Sequence, residues 1–292
     1  MKFDLERGQI IKGKPVADKI SEKLIKKVEE INSSGNSGKT PKLALVRVGE
    51  RSDDLSYERG ALNRCGKIGI DTDVIALKED VTTDEYIKTL NRLNEDDSIN
   101  GILCFRPLPK HLDENLIKYQ VSPLKDVDCF NPINLAKVVE GDHGGFPPCT
   151  PTAVVEILKH YNVDLKGKNV TVVGRSLVVG KPVSMLLLNE NATVTICHSK
   201  TDNLSEVCAN ADVLVAAVGK AKMIDDSYVK DGGVVIDVGI NVDDEGNLCG
   251  DVDTEKASKK ASLITPVPAG VGSVTTSILA KHVLKAYKLQ NS

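Results

Sequence analysis

Val16, Ile20, Leu24, Val28 and Ile31 recur every three or four residues, which predicts an amphipathic helix over 14–32. The apolar run KLALVRV (42–48) then reads as a strand, 57–67 as a helix stopped by Gly69, and 71–77 as a second strand. Thr82 or Thr83 can cap a helix that runs through Asn94. INGILCF (99–105) is a third buried strand, broken at Pro107-Leu108-Pro109. At Phe146-Pro147-Pro148-Cys149-Thr150-Pro151 the chain stops and restarts; Thr150 is positioned to cap a helix with Pro151 at its first position. A domain boundary is expected there. Beyond it the strands become more continuously apolar: NVTVVG (169–174), ATVTIC (192–197), DVLVAAVG (212–219) and GVVIDVG (233–239), before a last helix from about 274 to 288. Val/Ile runs of this kind suit parallel strands covered on both faces, and helices long enough to cross between them complete βαβ units. The fold class is therefore α/β, with two α/β domains.

Composition narrows the function. Of 292 residues, 41% are hydrophobic and 27% charged, enough for a sizeable core. A net charge of −3 argues against nucleic acid as the main ligand. No apolar run reaches the roughly 20 residues that a membrane span needs, and the N-terminal segment has no signal-like apolar stretch, so a cytoplasmic protein is expected. The 7 cysteines are odd in number and never form CxxC, which points to neither a disulfide framework nor a metal site. With 4 Phe, 6 Tyr and no Trp, each well-placed aromatic carries more weight.

The sharpest local feature is Val172-Val173-Gly174-Arg175-Ser176-Leu177-Val178-Val179-Gly180-Lys181-Pro182. A strand, a glycine loop and a helix start in that order aim backbone N–H groups at a phosphate, although the usual GxGxxG spacing is absent. The next strand ends in Cys197-His198-Ser199-Lys200, where an NAD-specific site tends to place an acid. Arg175, Ser199 and Lys200 instead offer donors to an adenosine 2′-phosphate, so NADP is expected over NAD. The plainer alternatives are an ordinary strand-to-helix turn and a solvated surface arginine.

VVGRSxxVGxP, TVTICHSKT (193–201), KDVD (125–128) and TPVPAGVG (265–272), together with Tyr57 and GIL…PLP (101–109), resemble the methylenetetrahydrofolate dehydrogenase/cyclohydrolase family. The resemblance extends over essentially the entire chain. It implies a folate-binding catalytic domain over 1–148 plus 274–292 and an NADP-binding Rossmann domain over 149–273, with a cleft between them holding both ligands. A homodimer is implied, with neither nucleic acid nor membrane as a partner. The implied chemistry is hydride transfer from 5,10-methylenetetrahydrofolate to NADP, then hydrolysis of the methenyl product to 10-formyltetrahydrofolate. Tyr57 would stack on the folate and Asp128 would contact the pterin edge, the alternative for Asp128 being a capping or turn residue. Pro268 and Gly270 would line the substrate loop, and Gly174, Arg175, Ser176, Gly180, His198, Ser199, Gly219 and Ile240 the cofactor site, although Ile240 and Val218 could equally be core.

Two positions depart from the family pattern. The catalytic lysine four residues after the tyrosine is Ala61, and the active-site glutamine is Phe105. A methyl and a phenyl group move no protons, so cyclohydrolase activity is expected to be weak or absent. The alternatives are a bifunctional enzyme in which Lys67 or a water takes over, and a non-catalytic folate- or nucleotide-binding regulator. Ala269 and Ser273 stand where the family usually has glycine and proline, which leaves the path of that loop open.

Overall fold

Strand–helix alternation builds two separate parallel sheets. The computed structural model describes residues 8–33 and 40–292. They divide into one unit of Asp18–Cys149 with Thr276–Ser292, and another of Met1–Ala17 with Thr150–Thr275. The expected breaks at 148/149 and 273/274 fall within two residues of these, but the expected grouping of residues 1–148 differs at its start. Strand β1 (Gln9–Ile10) pairs in parallel with a strand near residue 263, so the N-terminal segment belongs to the second unit. The reading of the first residues as free of a signal segment concerns positions 1–7, which lie outside the described residues.

Helix α1 (Lys14–Ser33) is followed by β2 (Lys42–Val48), α2 (Ser52–Ile68), β3 (Asp71–Leu77), α3 (Thr83–Glu95) and β4 (Gly101–Cys104). The three strands form a parallel sheet in the order β3-β2-β4. Helix α2 begins five residues before the expected start, because Asp53 and Asp54 in its first turn complement the positive end of the helix. It ends on Gly69 at φ 89°, the left-handed conformation that glycine adopts without penalty. Thr82 caps α3, with Glu85 reciprocating in a capping box. Short α4 (Glu114–Ile117) and α5 (Pro132–Glu140), neither evident in the sequence pattern, follow.

Helix α6 (Cys149–His160) starts one residue before the expected cap. Thr150 therefore lies inside the first turn, and Asp128 Oδ1 accepts the Cys149 N–H at 2.7 Å. Next come β5 (Asn169–Val173), α7 (Gly180–Asn189), β6 (Thr193–Cys197), α8 (Leu204–Ala209), β7 (Val213–Ala216) and β8 (Val234–Asp237). A hairpin of β9 (Asn241–Val242) and β10 (Leu248–Cys249), then α9 (Thr254–Ala257), β11 (Leu263–Ile264) and α10 (Gly272–Gln290), complete the chain. Two-residue strands carry too little periodicity to be read from sequence. The second sheet has six parallel strands in the order β1-β11-β8-β7-β5-β6, a Rossmann-type arrangement whose direction of winding reverses beside β5. Among the described residues, no helix is long and apolar enough to cross a membrane.

Buried titratable groups in the first unit make its stability depend on pH. His282 on α10 is 4% exposed, donates from Nδ1 to the Val127 carbonyl at 2.9 Å and meets the Phe146 ring edge-on. Burial pushes its pKa down to about 4, so the folded chain holds it neutral where an unfolded chain would protonate it. Its contribution is complete above the ordinary histidine pKa and is lost as the pH falls towards 4. Asp126 runs the other way: burial raises it to about 6, which favours the folded state at low pH. Comparing variants isolates the histidine. The stability advantage of the wild type over His282→Gln should shrink by about 3 kcal/mol between pH 7 and pH 4 in urea unfolding. A difference that does not vary with pH would remove His282 from this role.

Candidate active site

In the first unit, the α2 periodicity places Tyr57 and Ala61 on one helix face, one turn apart. Tyr57 is half-buried and Ala61 is fully buried. Strand β4 runs into Phe105, whose ring meets Tyr57 edge-to-face with centroids 6.0 Å apart. The next residue, Arg106, lies over the Phe130 ring at 5.1 Å and directs its guanidinium to Asp128 Oδ2 at 3.8 Å. Tyr57 and Phe105 thus form one aromatic corner, and Arg106 and Asp128 a charged one.

The KDVD segment (125–128) separates into structural and exposed parts. Lys125 Nζ donates to the carbonyls of Leu93, Asn94 and Asp96. Asp126 accepts from the Phe130 and Asn131 N–H groups and from the Asn134 amide, so both residues are committed to holding loops. Asp128 holds the helix start with one oxygen and faces Arg106 with the other, its side chain 27% exposed. It is therefore both the capping residue of the plainer reading and an available carboxylate. Burial pushes its pKa up, while Arg106 and the Cys149 N–H oppose that shift.

In the second unit, strand register gathers the expected cofactor residues at one edge. Val173 is level with Cys197 on β6 and with Ala216 on β7, and Ala216 with Asp237 on β8. The loops after these strands, which carry Gly174-Arg175, His198-Ser199, Gly219 and Ile240, consequently leave the sheet together. Gly174 has φ 137°, and a side chain there would run into the Ala217 carbonyl; one at Gly180 would run into Gly174. Ser176 does not point away from the loop but folds it, its Oγ accepting the Val179 N–H at 3.1 Å. Arg175, Ser199 and Lys200 are exposed. His198 organises its own turn, since Nδ1 accepts the Lys200 N–H at 3.1 Å. Ile240 is 68% exposed, which excludes the core alternative for it.

The 266–272 loop lines a cavity of about 230 Å³ together with Asp237, Val238, Gly239, Ile240 and Leu248. Pro268 is exposed on it, while Gly270 is buried against the Pro266 carbonyl. Sequence reasoning missed Gly13, whose N–H donates to the Ala269 carbonyl at 2.9 Å and whose Cα packs on Gly270. It also missed Asp237 and Asp251. The available signal was the Asp-Val-Asp of 251–253, which repeats that of 126–128. In both, the first acid is buried under backbone N–H donors and the second accepts at the start of a helix.

A parallel six-stranded sheet with a glycine turn at its reversal point, joined in one chain to a second α/β unit, defines a nucleotide-dependent two-unit enzyme. Residues 148–291 match the tetrahydrofolate dehydrogenase/cyclohydrolase NAD(P)-binding domain, and residues 11–128 match the catalytic domain of the same enzymes. The chain belongs to the tetrahydrofolate dehydrogenase/cyclohydrolase family. It is 73% identical over 286 residues to the bifunctional protein FolD of Clostridioides difficile, covering 98% of this chain and 99% of that one. The crystal structure of the bifunctional FolD from Campylobacter jejuni superimposes with a TM-score of 0.92 at 40% identity, covering 96% and 99% of the two chains. That of Trypanosoma brucei FolD, complexed with NADP cofactor and inhibitor, gives 0.92 at 34% identity over 97% and 98%.

Ala269, where the family usually has glycine, sits at φ 78°. The left-handed conformation costs an L-residue roughly 1–2 kcal/mol, against which glycine loses roughly 0.4–1 kcal/mol through its freer unfolded chain. Ala269→Gly should therefore raise stability by about 0.5–1 kcal/mol in chemical denaturation, and a loss of stability would show that the loop does not strain the alanine.

Proposed function

We propose that this chain oxidises 5,10-methylenetetrahydrofolate to the methenyl form by hydride transfer to NADP, and that its cyclohydrolase activity is weak or absent. The first half rests on family membership and on relatives named as FolD, one of them complexed with NADP. The second rests on the resemblance: where the family pattern has a lysine and a glutamine, this chain has the buried Ala61 and Phe105, whose ring meets Tyr57.

The nicotinamide supplies the hydride acceptor, which leaves orientation and charge to the protein. The two close-packed glycines of the 174–180 loop leave a backbone cradle that suits a diphosphate, and Arg175 with Ser199 suits the 2′-phosphate. Tyr57 offers a ring face to the folate, and Asp128, whose ionised form Arg106 favours against the opposing effect of burial, offers a carboxylate to the paired N–H groups of the pterin. Oxidation builds a cation on the folate without any need for a base. Hydrolysis of that cation does need one, and losing a positioned acid or base costs roughly 10²–10⁴ in rate. Arg106 does not replace it, because a guanidinium stays protonated and this one is paired. We further read the protein as a cytoplasmic homodimer. Among the described residues no strand pairs with the outer side of β6, and Ile196 and Leu188 beside it are exposed.

A time course with NADP and 5,10-methylenetetrahydrofolate tests the central reading. Methenyl product should accumulate in step with NADPH and decay no faster than in buffer; consumption above the buffer rate supports the bifunctional reading that the relatives' names carry. Ala61→Lys with Phe105→Gln should then raise methenyl hydrolysis, with NADPH formation reporting that the variant remains folded. For the cofactor, Arg175→Ala should lower the NADP-over-NAD preference roughly ten- to a hundredfold, the worth of one charged hydrogen bond. An unchanged ratio would remove Arg175 from 2′-phosphate recognition.

A further inference from the structure

Asp251 is completely buried, yet its carboxylate is spent on a loop at the sheet edge. Oδ2 accepts the N–H groups of Val218 at 2.6 Å and Gly219 at 3.1 Å, and Oδ1 accepts those of Lys220 at 2.8 Å and the Asn241 amide at 2.9 Å. Three consecutive N–H groups after β7 and one side chain after β8 thus converge on a single anion. Asp237, 1% exposed, holds Asp251 in turn: it accepts the Gly239 N–H at 2.9 Å, the Asp251 N–H at 3.1 Å and the Val252 N–H at 2.9 Å. The pairing is reciprocal in packing as well, since a side chain on Gly239 would overlap Asp251 and one on Gly250 would overlap Asp237.

The loops held in this way are open on their other side. Gly219, at φ 67°, has no atom within 4 Å of where a side chain would stand, and Ile240 is exposed. Asp237 and Gly239 line the 230 Å³ cavity, which lies on the β8 side of β7 and so away from the Gly174, Arg175 and Ser199 loops on β5 and β6. A fold that needed only stability would leave these N–H groups to water. Burying a carboxylate to align them costs desolvation, which four N–H donors offset.

We propose that Asp251, supported by Asp237, is a positioning residue that fixes the 218–220 and 239–241 loops for the nicotinamide half of the cofactor, a role that rests on the NADP reading above. An asparagine at 251 keeps the shape but turns one oxygen into a donor. With its remaining oxygen towards Val218 and Gly219, the Asn241 amide can flip to accept from the new NH₂, but the Lys220 N–H loses its partner. The loop is then released at one end while the adenosine side is untouched.

Binding of NADPH and of adenosine 2′,5′-bisphosphate, its adenosine fragment, should be measured by titration on the wild type, Asp251→Asn and Asn241→Ala. The expected result is NADPH affinity reduced at least tenfold in Asp251→Asn and about threefold in Asn241→Ala, with the fragment bound within twofold of wild type in both. Equal losses for the fragment and NADPH would make Asp251 a general support of the domain, and no loss for either would remove it from cofactor positioning; both results overturn the proposal. The Asn241 variant, on a half-buried surface loop, decides the matter if Asp251→Asn does not fold. Wild-type protein that binds neither ligand would refute the NADP reading itself, which separates the two failures.

Discussion

All strands of a parallel sheet end on the same side, so every loop that leaves them releases unpaired backbone N–H groups in one place. This protein answers that constraint with buried or half-buried carboxylates. Asp237 and Asp251 do so after β7 and β8 of the larger sheet, while Asp126 and Asp128 serve helix starts in the other unit, taking the N–H groups of Phe130 and Asn131 before α5 and of Cys149 at α6. The cost is visible in the titration behaviour of Asp126 and Asp237, both pushed up to about 6 by burial. What results is a set of strand-end loops held to a definite path, which is the first requirement of a site whose chemistry is mostly alignment.

The Tyr57 corner of the other unit shows a different balance. Phe105 meets Tyr57 edge-on, Ala61 is buried one turn along α2, and Arg106 pairs with Asp128. Neither a methyl nor a phenyl group can exchange a proton, so any proton transfer in this corner falls to other side chains.

Much of this was legible before the structure. The strands β2, β3 and β5 carry apolar-rich stretches bounded by polar residues, and the Thr82–Glu85 capping box and the Gly69 stop are local signals read within one turn of chain. The glycine loop and the four motif segments carried the resemblance to the family that the chain belongs to. The two-residue strands β1, β9, β10 and β11 were not legible, because their pairing depends on partners remote in sequence. Nor was the start of α6, set by Asp128 from 21 residues away; for Asp251 the one signal was an Asp-Val-Asp that repeats that of 126–128. Long-range hydrogen bonds of this sort leave no periodicity behind them.

The placement of β1 has a consequence for how the chain is made. The edge strand of the larger sheet comes from residues 9–10, its neighbour from 263–264, and Gly13 closes on the loop that begins at 266. Residues 9–10 therefore have no strand to pair with until residues 263–264 have been made. The Rossmann sheet is finished only by joining two segments remote in sequence. A fragment cut at 149–273 to isolate the nucleotide-binding half would carry a bare β11 edge and an unbraced 266–272 loop. The two halves are in this sense a single gene's worth of folding, not two modules joined by a linker.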